Sequence, residues 1–226
     1  IEPIQDLRID LTVTKQQSRI NQEYFIADAN GDFGSYSPQL AGTYTMSYII
    51  IGTAFANDDG GDNVSLLFEK LKDSRLGIAQ RYGAQNPWSV GTDSLGYPTG
   101  YGATDQEVLA VAFLAAYKGQ DPDKIGLSAF PKIPLPNWRI TYDGFSKIKG
   151  FRKWFRNLTL THAYISTYSV GSYVSNIYFE ERNGFPYAVN DAGNFIPERE
   201  LNVVVITEQF SPLIRFDMGW VNSLLT

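Results

Sequence analysis

His162 is the only histidine in the chain and so the only side chain whose ordinary pKa suits general base chemistry near neutral pH. A hydrolytic triad needs that imidazole held between a nucleophile and a carboxylate. His162 stands instead in "LTLTHAYIS", at an alternate position shared with Leu158, Leu160 and Tyr164. A lone histidine with no cysteine cannot supply a histidine- or thiolate-rich metal site, and the lack of cysteine also rules out disulfides and thiol nucleophiles within this sequence. The acidic run "NDDGGDN" at 57–63 offers oxygen ligands, but its spacing misses the D-x-[DN]-x-[DN]-G calcium loop and lacks the distal bidentate glutamate. Glu180 with Glu181, or Glu198 with Glu200, could serve as paired carboxylates for glycoside hydrolysis, yet both pairs fall at loop edges where charge is simply solvated. "GYPTGYG" has the glycines of a phosphate loop without its lysine. No catalytic residue, metal ligand or cofactor is assigned on these grounds, and the chain is not expected to be an enzyme.

The bulk composition points to a packed, aromatic-rich β protein. Hydrophobic residues make up 43% and charged residues 19%, so there is ample material to bury. The net charge of −5 gives no global case for a nucleic-acid partner. One local exception is "KIKGFRKWFR" at 147–156, five cations interleaved with Phe151, Trp154 and Phe155. This reads either as an anchor for anionic headgroups or RNA, or as a solvated connection between strands.

Period-two alternation dominates the rest. In "DLRIDLTVTK", Leu7, Ile9 and Leu11 share one face, with Arg8 and Asp10 on the other. "NWRITYD" places Trp138, Ile140 and Tyr142 opposite Arg139 and Asp143, and "RFDMGW" places Phe216, Met218 and Trp220 opposite Arg215 and Asp217. The longest such segment, 157–180, alternates without a proline, several times the length of an average strand. Strands are expected at about 5–26, 40–56, 136–148, 157–180 and 201–221. "DANGDFGSYSP" reads as a loop turning at Asn30-Gly31, and "RNGFPYAVNDAGNFIPERE" as a second polar loop.

Residues 57–133 break this pattern as an insert, with two helices expected within about 62–119. Val64, Leu67, Phe68, Leu71, Ile78 and Tyr82 follow helical spacing, with Asp62 or Asn63 as cap and Gly83 as terminus. In the second helix Thr104 and Glu107 suggest a capping box and Gly119 a left-handed end, and Val108 to Tyr117 is apolar nearly all round. Such a helix must be covered by protein, and it is too short to cross a bilayer.

Alternation has two physical origins. A soluble sheet turns its apolar face to a private core, and a membrane barrel turns it to lipid. Strand length, tyrosine on the apolar face and unequal loops favour the barrel. Parity then puts the 147–155 connection and the turn near Val221 on one side, with the insert and the second polar loop on the other.

The blocks "IPLPNWRITYDGFSK", "LTLTHAYISTYSVGSY" and "ITEQFSPLIRFDMGW", with "IEPIQDLRIDLTVTK" and "AFLAAYKG", resemble the gliding-motility SprA/Sov family in order along nearly the whole chain. Ile165 departs from that likeness by standing on the otherwise polar face. The resemblance implies a segment, 1–226, of one very large outer-membrane β-barrel within a longer polypeptide, the type IX secretion translocon that passes folded proteins. It implies outer-membrane lipid, the rest of the barrel, an accessory outer-membrane protein, a plug protein and secreted cargo as partners. Leu7, Ile9, Leu11, Trp138, Ile140, Tyr142, Leu158, Leu160, Phe216, Met218 and Trp220 would face lipid or a partner. Arg8, Asp10, Arg139, Asp143, Arg215 and Asp217 would face a water-filled lumen. A small-solute porin or transporter barrel, or a soluble β domain binding glycan or protein through surface aromatics, would share the alternation.

Overall fold

The computed structural model describes residues 1–56 and 65–221. The chain is mainly β. Its elements run β1 (Leu7–Thr12), β2 (Lys15–Ala27), β3 (Phe33–Ser47), α1 (Leu66–Gln85), α2 (Gln106–Lys118), β4 (Asn137–Tyr142), a one-turn α3 (Lys149–Arg152), β5 (Phe155–Ser175), β6 (Glu181–Arg182), β7 (Phe185–Pro186), β8 (Arg199–Leu201), β9 (Val204–Phe210) and β10 (Arg215–Trp220). All strands except β6 and β7 form one sheet, antiparallel throughout.

β5 is the spine of this sheet, 21 residues long and about 70 Å from end to end at ~3.3 Å per residue. Its Phe155 end is termed lower and its Ser175 end upper. Along one edge lie β10, β9 and β8 in line, opposite its lower, middle and upper thirds. The breaks between them are irregularities in one strand, since Ser211 N–H still donates to Ala163 O at 3.0 Å and Gly171 N–H to Val203 O at 2.8 Å. Pro212, lacking an N–H, interrupts the ladder where it falls.

The other edge of β5 is shared by β3 and β4. Residues 41–47 pair with the upper half of β5 and 138–142 with the lower half, both antiparallel to it. β3 and β4 are therefore one column running in one direction. The join is stitched by Tyr48 N–H to Ser166 O at 3.1 Å, Leu135 N–H to Ser47 O at 3.1 Å, and Ser166 N–H to the Asn137 side chain at 2.8 Å. This corrects the expected arrangement of 40–56 and 136–148 as successive strands joined by a terminal loop. The chain leaves this single strand column after Ser47 and rejoins it at Asn137, so the insert springs from the middle of the column. β1 and β2, separated only by Val13 and Thr14, line the outside of β4 and β3.

Other expectations shift at their ends. β3 starts at Phe33, because Asp28 to Asp32 close a tight turn with Gly31 at φ 87° and leave Phe33–Pro38 free to pair with β2. It stops at Ser47, and 51–53 form a 3-10 turn. β5 begins two residues earlier than expected and ends at Ser175, where Asn176 turns the chain by accepting from Tyr178 N–H. The lower connection and the Trp220 end share one side, as parity requires, and the 176–198 loop lies at the other.

The insert builds a private core on the upper half of the sheet. Tyr44, Met46, Tyr48, Tyr168, Val170 and Tyr173 meet Ile78, Val108, Val111 and Leu114 with almost no exposure. Tyr173 joins this face against strict alternation because β5 bulges there: Tyr173 pairs Gly42 while Val170 pairs Tyr44, so two residues oppose one. Gly42 is required at that point, since a Cβ would lie 2.2 Å from Ser18 O and 2.6 Å from the Tyr173 hydroxyl. The apolar face is thus not outward-facing along its whole length, as had been expected. Alternation names the face, but not what covers it.

Asp105, rather than Thr104, caps α2, its carboxylate accepting from Val108 N–H at 2.9 Å. Thr104 instead accepts from Asn194. Gly119 ends α2 at φ 65° as expected, while α1 runs past Gly83 to Gln85. The proposed caps Asp62 and Asn63, and Val64, lie outside the described residues.

Tyr168 is fully buried, with its hydroxyl donating to Ala129 O at 2.7 Å. Tyr168→Ala is expected to cost about 3–5 kcal/mol, and Tyr168→Phe about 1 kcal/mol. Chemical denaturation followed by tryptophan fluorescence checks this; an Ala variant with the parent midpoint would place Tyr168 outside a packed core.

Candidate functional site

Below the insert the same apolar face continues without it. Cross-strand register groups its residues into rows: Leu7, Tyr142, Leu160 and Phe216; Ile9, Ile140 and His162; Leu11, Trp138, Tyr164 and Phe210. Below these come Leu158 with Met218, then Phe155 with Trp220. Phe216 is 53% exposed and Trp220 57%, and Leu11 and Met218 are also exposed. Leu7, Ile9, Trp138, Ile140, Tyr142 and Leu160 are half-buried by their neighbours in the sheet. Leu158 departs from the group: it is buried, where the lower connection folds against β5.

The middle rows of the band mix aliphatic side chains with Tyr142, Phe216 and His162, and both margins are aromatic. At its upper margin Trp138 stacks on Tyr164 with ring centroids 4.5 Å apart, and Phe55 of the insert stacks on Phe210 at 5.3 Å. At its lower margin a chain of rings runs Tyr142, Phe145, Phe151, Phe155, Trp220, with successive centroids 4.7, 5.9, 6.4 and 4.8 Å apart. The alternation of β4, β5 and β10 indicates the band but not these stacks, because Phe55 and Phe145 were expected inside strands 40–56 and 136–148 and instead lie beyond Ser47 and Tyr142, where those strands end.

The reverse face collects the polar partners. Arg8, Thr141, Thr161 and Arg215 form one row, Asp10, Arg139 and Ala163 the next, and Thr159 with Asp217 a third. Arg8 pairs with Asp10 at 3.1 Å and Arg215 with Asp217 at 2.8 Å, both exposed. Such pairs contribute about 0–1 kcal/mol each, so they mark a wet face rather than hold it together. Asp143 lies past the end of β4, at the lower rim, where its N–H bonds Asp6 O. Ile165 is exposed on this face opposite Gln209.

His162 Nδ1–H donates to Leu213 O at 2.6 Å, since a carbonyl can only accept, and its ring lies among Trp138 and Phe210. Glu200 accepts from Asn176 at 2.8 Å and Glu198 pairs with Arg199, while Glu180 and Glu181 are exposed. Among the described residues no three His, Cys, Asp or Glu side chains gather as metal ligands. The 57–63 run lies outside the described residues.

Among the described residues no further strand pairs the outer edge of column 7–27 or of column 199–220. Both edges are partly occupied all the same: Ile9 N–H donates to Ile1 O and Leu7 N–H to Ile4 O, while the Gln106 side chain donates to Arg199 O and accepts from Leu201 N–H. All 13 residues of β2 are exposed. Long open edges template pairing with further strands.

No protein-family model and no curated protein matches the chain.

Away from the sheet, two carboxylates beside α2 titrate abnormally. Burial raises Asp105 to about 6, opposed by hydrogen bonds from backbone N–H groups. Burial, with Asp105 and Glu198 nearby, raises Glu107 to about 7. Both pKa values lie above those of the unfolded chain, so the folded state holds more protons between about pH 4 and 7 and its stability falls as pH rises through that window. Hydrogen exchange of the α2 amides is therefore expected to be slower at pH 5 than at pH 8 after correction for intrinsic rates. Glu107→Gln should flatten the dependence, and a profile unchanged by that substitution would contradict the assignment.

Proposed function

We propose that this chain forms part of the wall of a large outer-membrane β-barrel that conducts folded proteins, as the resemblance to the type IX secretion translocon implies. The observation that carries the reading is the apolar band that leaves Leu11, Phe216, Met218 and Trp220 exposed, on a sheet whose outer edges no further strand pairs among the described residues. From Phe155 to Tyr164 the band is about ten residues tall, the number a tilted strand needs to cross the hydrocarbon. Its margins carry aromatic rings where bilayer interfaces favour them.

On this reading Arg8, Asp10, Arg139, Arg215 and Asp217 border a wet lumen, and secreted cargo passes along that side. The function is conduction, not catalysis. The insert packs on the same face as the band, so it stands on the outer side of the wall, above the bilayer, rather than in the lumen. An accessory outer-membrane protein and a plug are the partners this reading carries over from the family likeness.

With no native cysteine in the chain, single-cysteine labelling is direct. In the full-length protein reconstituted in vesicles, cysteine at Ile140 or Phe216 is expected to react with a water-soluble maleimide at least tenfold more slowly than cysteine at Arg139 or Asp217. Equal rates would contradict a lipid-facing band. Phe216→Arg, near the middle of the band, is expected to cost about 2–4 kcal/mol of stability in lipid. Single-channel conductance of the unplugged protein separates a protein-sized pore from a small-solute one, and a conductance limited to small ions would contradict the translocon.

A further inference from the structure

The lower connection carries a charge pattern that the wall itself does not use. Between Lys147 and Arg156 the chain places five cations, although the protein as a whole is acidic. Lys147 pairs with Asp6 at 2.5 Å. Lys149, Arg152, Lys153 and Arg156 are exposed and take no part in a salt bridge among the described residues. Of the acidic groups beside the connection, Asp6 pairs with Lys147 and Asp217 with Arg215, while Asp143 is exposed at the rim and forms no salt bridge among the described residues.

Apolar side chains interleave with these cations. Ile148 is 47% exposed and Trp154 is 65% exposed, and Phe151 is exposed as well. The ring chain through Phe145, Phe151 and Phe155 to Trp220 makes this cluster continuous with the lower margin of the apolar band. Exposed tryptophan could stack on the bases of an RNA, but exposed isoleucine and continuity with the apolar band add nothing to such a site. A site at the boundary between acyl chains and phosphates needs both.

We propose that residues 147–156 bind the phosphate headgroups of anionic lipids in the leaflet at the lower rim. Lys149, Arg152, Lys153 and Arg156 supply the charge, while Trp154 and Ile148 enter the acyl boundary. This rests on the membrane reading of the band and adds to it a lipid class and a leaflet. Four free cations near an anionic surface give an attraction that grows about fivefold per charge at low salt and is screened as salt rises.

The test uses the full-length protein in vesicles of phosphatidylcholine alone or with one third phosphatidylglycerol, with resonance energy transfer from Trp154 to a headgroup-labelled acceptor of each lipid type. The wild type is expected to enrich the phosphatidylglycerol acceptor at least fivefold over phosphatidylcholine, and 0.5 M salt is expected to reduce that enrichment. Lys149→Gln, Arg152→Gln, Lys153→Gln and Arg156→Gln combined should abolish it while leaving insertion and the protection of cysteine at Phe216 unchanged. Inorganic phosphate at millimolar concentration should not compete. Insertion with a protected band but no enrichment overturns the lipid site and leaves the wall reading standing. Loss of enrichment to free phosphate, or to a short RNA, overturns the lipid as ligand. A protein that stays monodisperse without detergent and fails to insert overturns both readings.

Discussion

Every other feature of this molecule follows from the backbone of β5. A strand of 21 residues presents peptide groups along both edges, and each must find a partner. Neither neighbour is a single regular strand. One side is filled by three in-line pieces broken at Asn202–Val203 and Ser211–Ile214, and the other by two pieces separated in sequence by the whole insert. The ladder nevertheless continues across each break through individual hydrogen bonds such as Ser166 N–H to Asn137 Oδ1. The sheet therefore sets the register first, and the insert is held by where it leaves and returns.

That arrangement divides one apolar face into two environments. Above Ser166, Tyr168, Val170 and Tyr173 lie under helices α1 and α2 and make a protein core with its own hydrogen bonds. Below it, Phe216, Met218 and, at the lower aromatic margin, Trp220 are exposed, with Leu160 half-buried beside them. An exposed apolar surface of this extent marks an interaction site in a soluble protein and the lipid contact in a membrane barrel. The edges at 7–27 and 199–220, which no further strand pairs among the described residues, favour the second, because a barrel closes its edges with further strands.

Much of this was legible in the sequence. The residues of the two faces are read from alternation in "LRIDL", "WRITY" and "RFDMGW", and register confirms that Arg8, Asp10, Arg139, Arg215 and Asp217 share one face. Three things were not legible. Alternation has no information on cover, so Tyr44, Tyr48 and Tyr168 could not be told from lipid-facing residues. It has none on connectivity between in-line pieces, so β3 and β4 looked like neighbours rather than one column. Local propensity favoured Thr104 as the cap of α2, but Asn194 donates to that hydroxyl from a loop 90 residues away, and Asp105 takes the helix end instead.

The central claim is that the apolar face of β5 meets lipid below Ser166 and protein above it. Spin labels placed singly along 157–174 in the reconstituted full-length protein test it directly, through collision with oxygen, which partitions into lipid, and with a water-soluble nickel chelate. The account predicts that oxygen reaches labels at Leu160 and His162 more than at Thr159 and Thr161, that the nickel chelate shows the opposite preference, and that neither reagent reaches Tyr168 or Val170. Nickel accessibility on both faces of 157–164, or an oxygen signal that persists with the same amplitude through Val170, would contradict it.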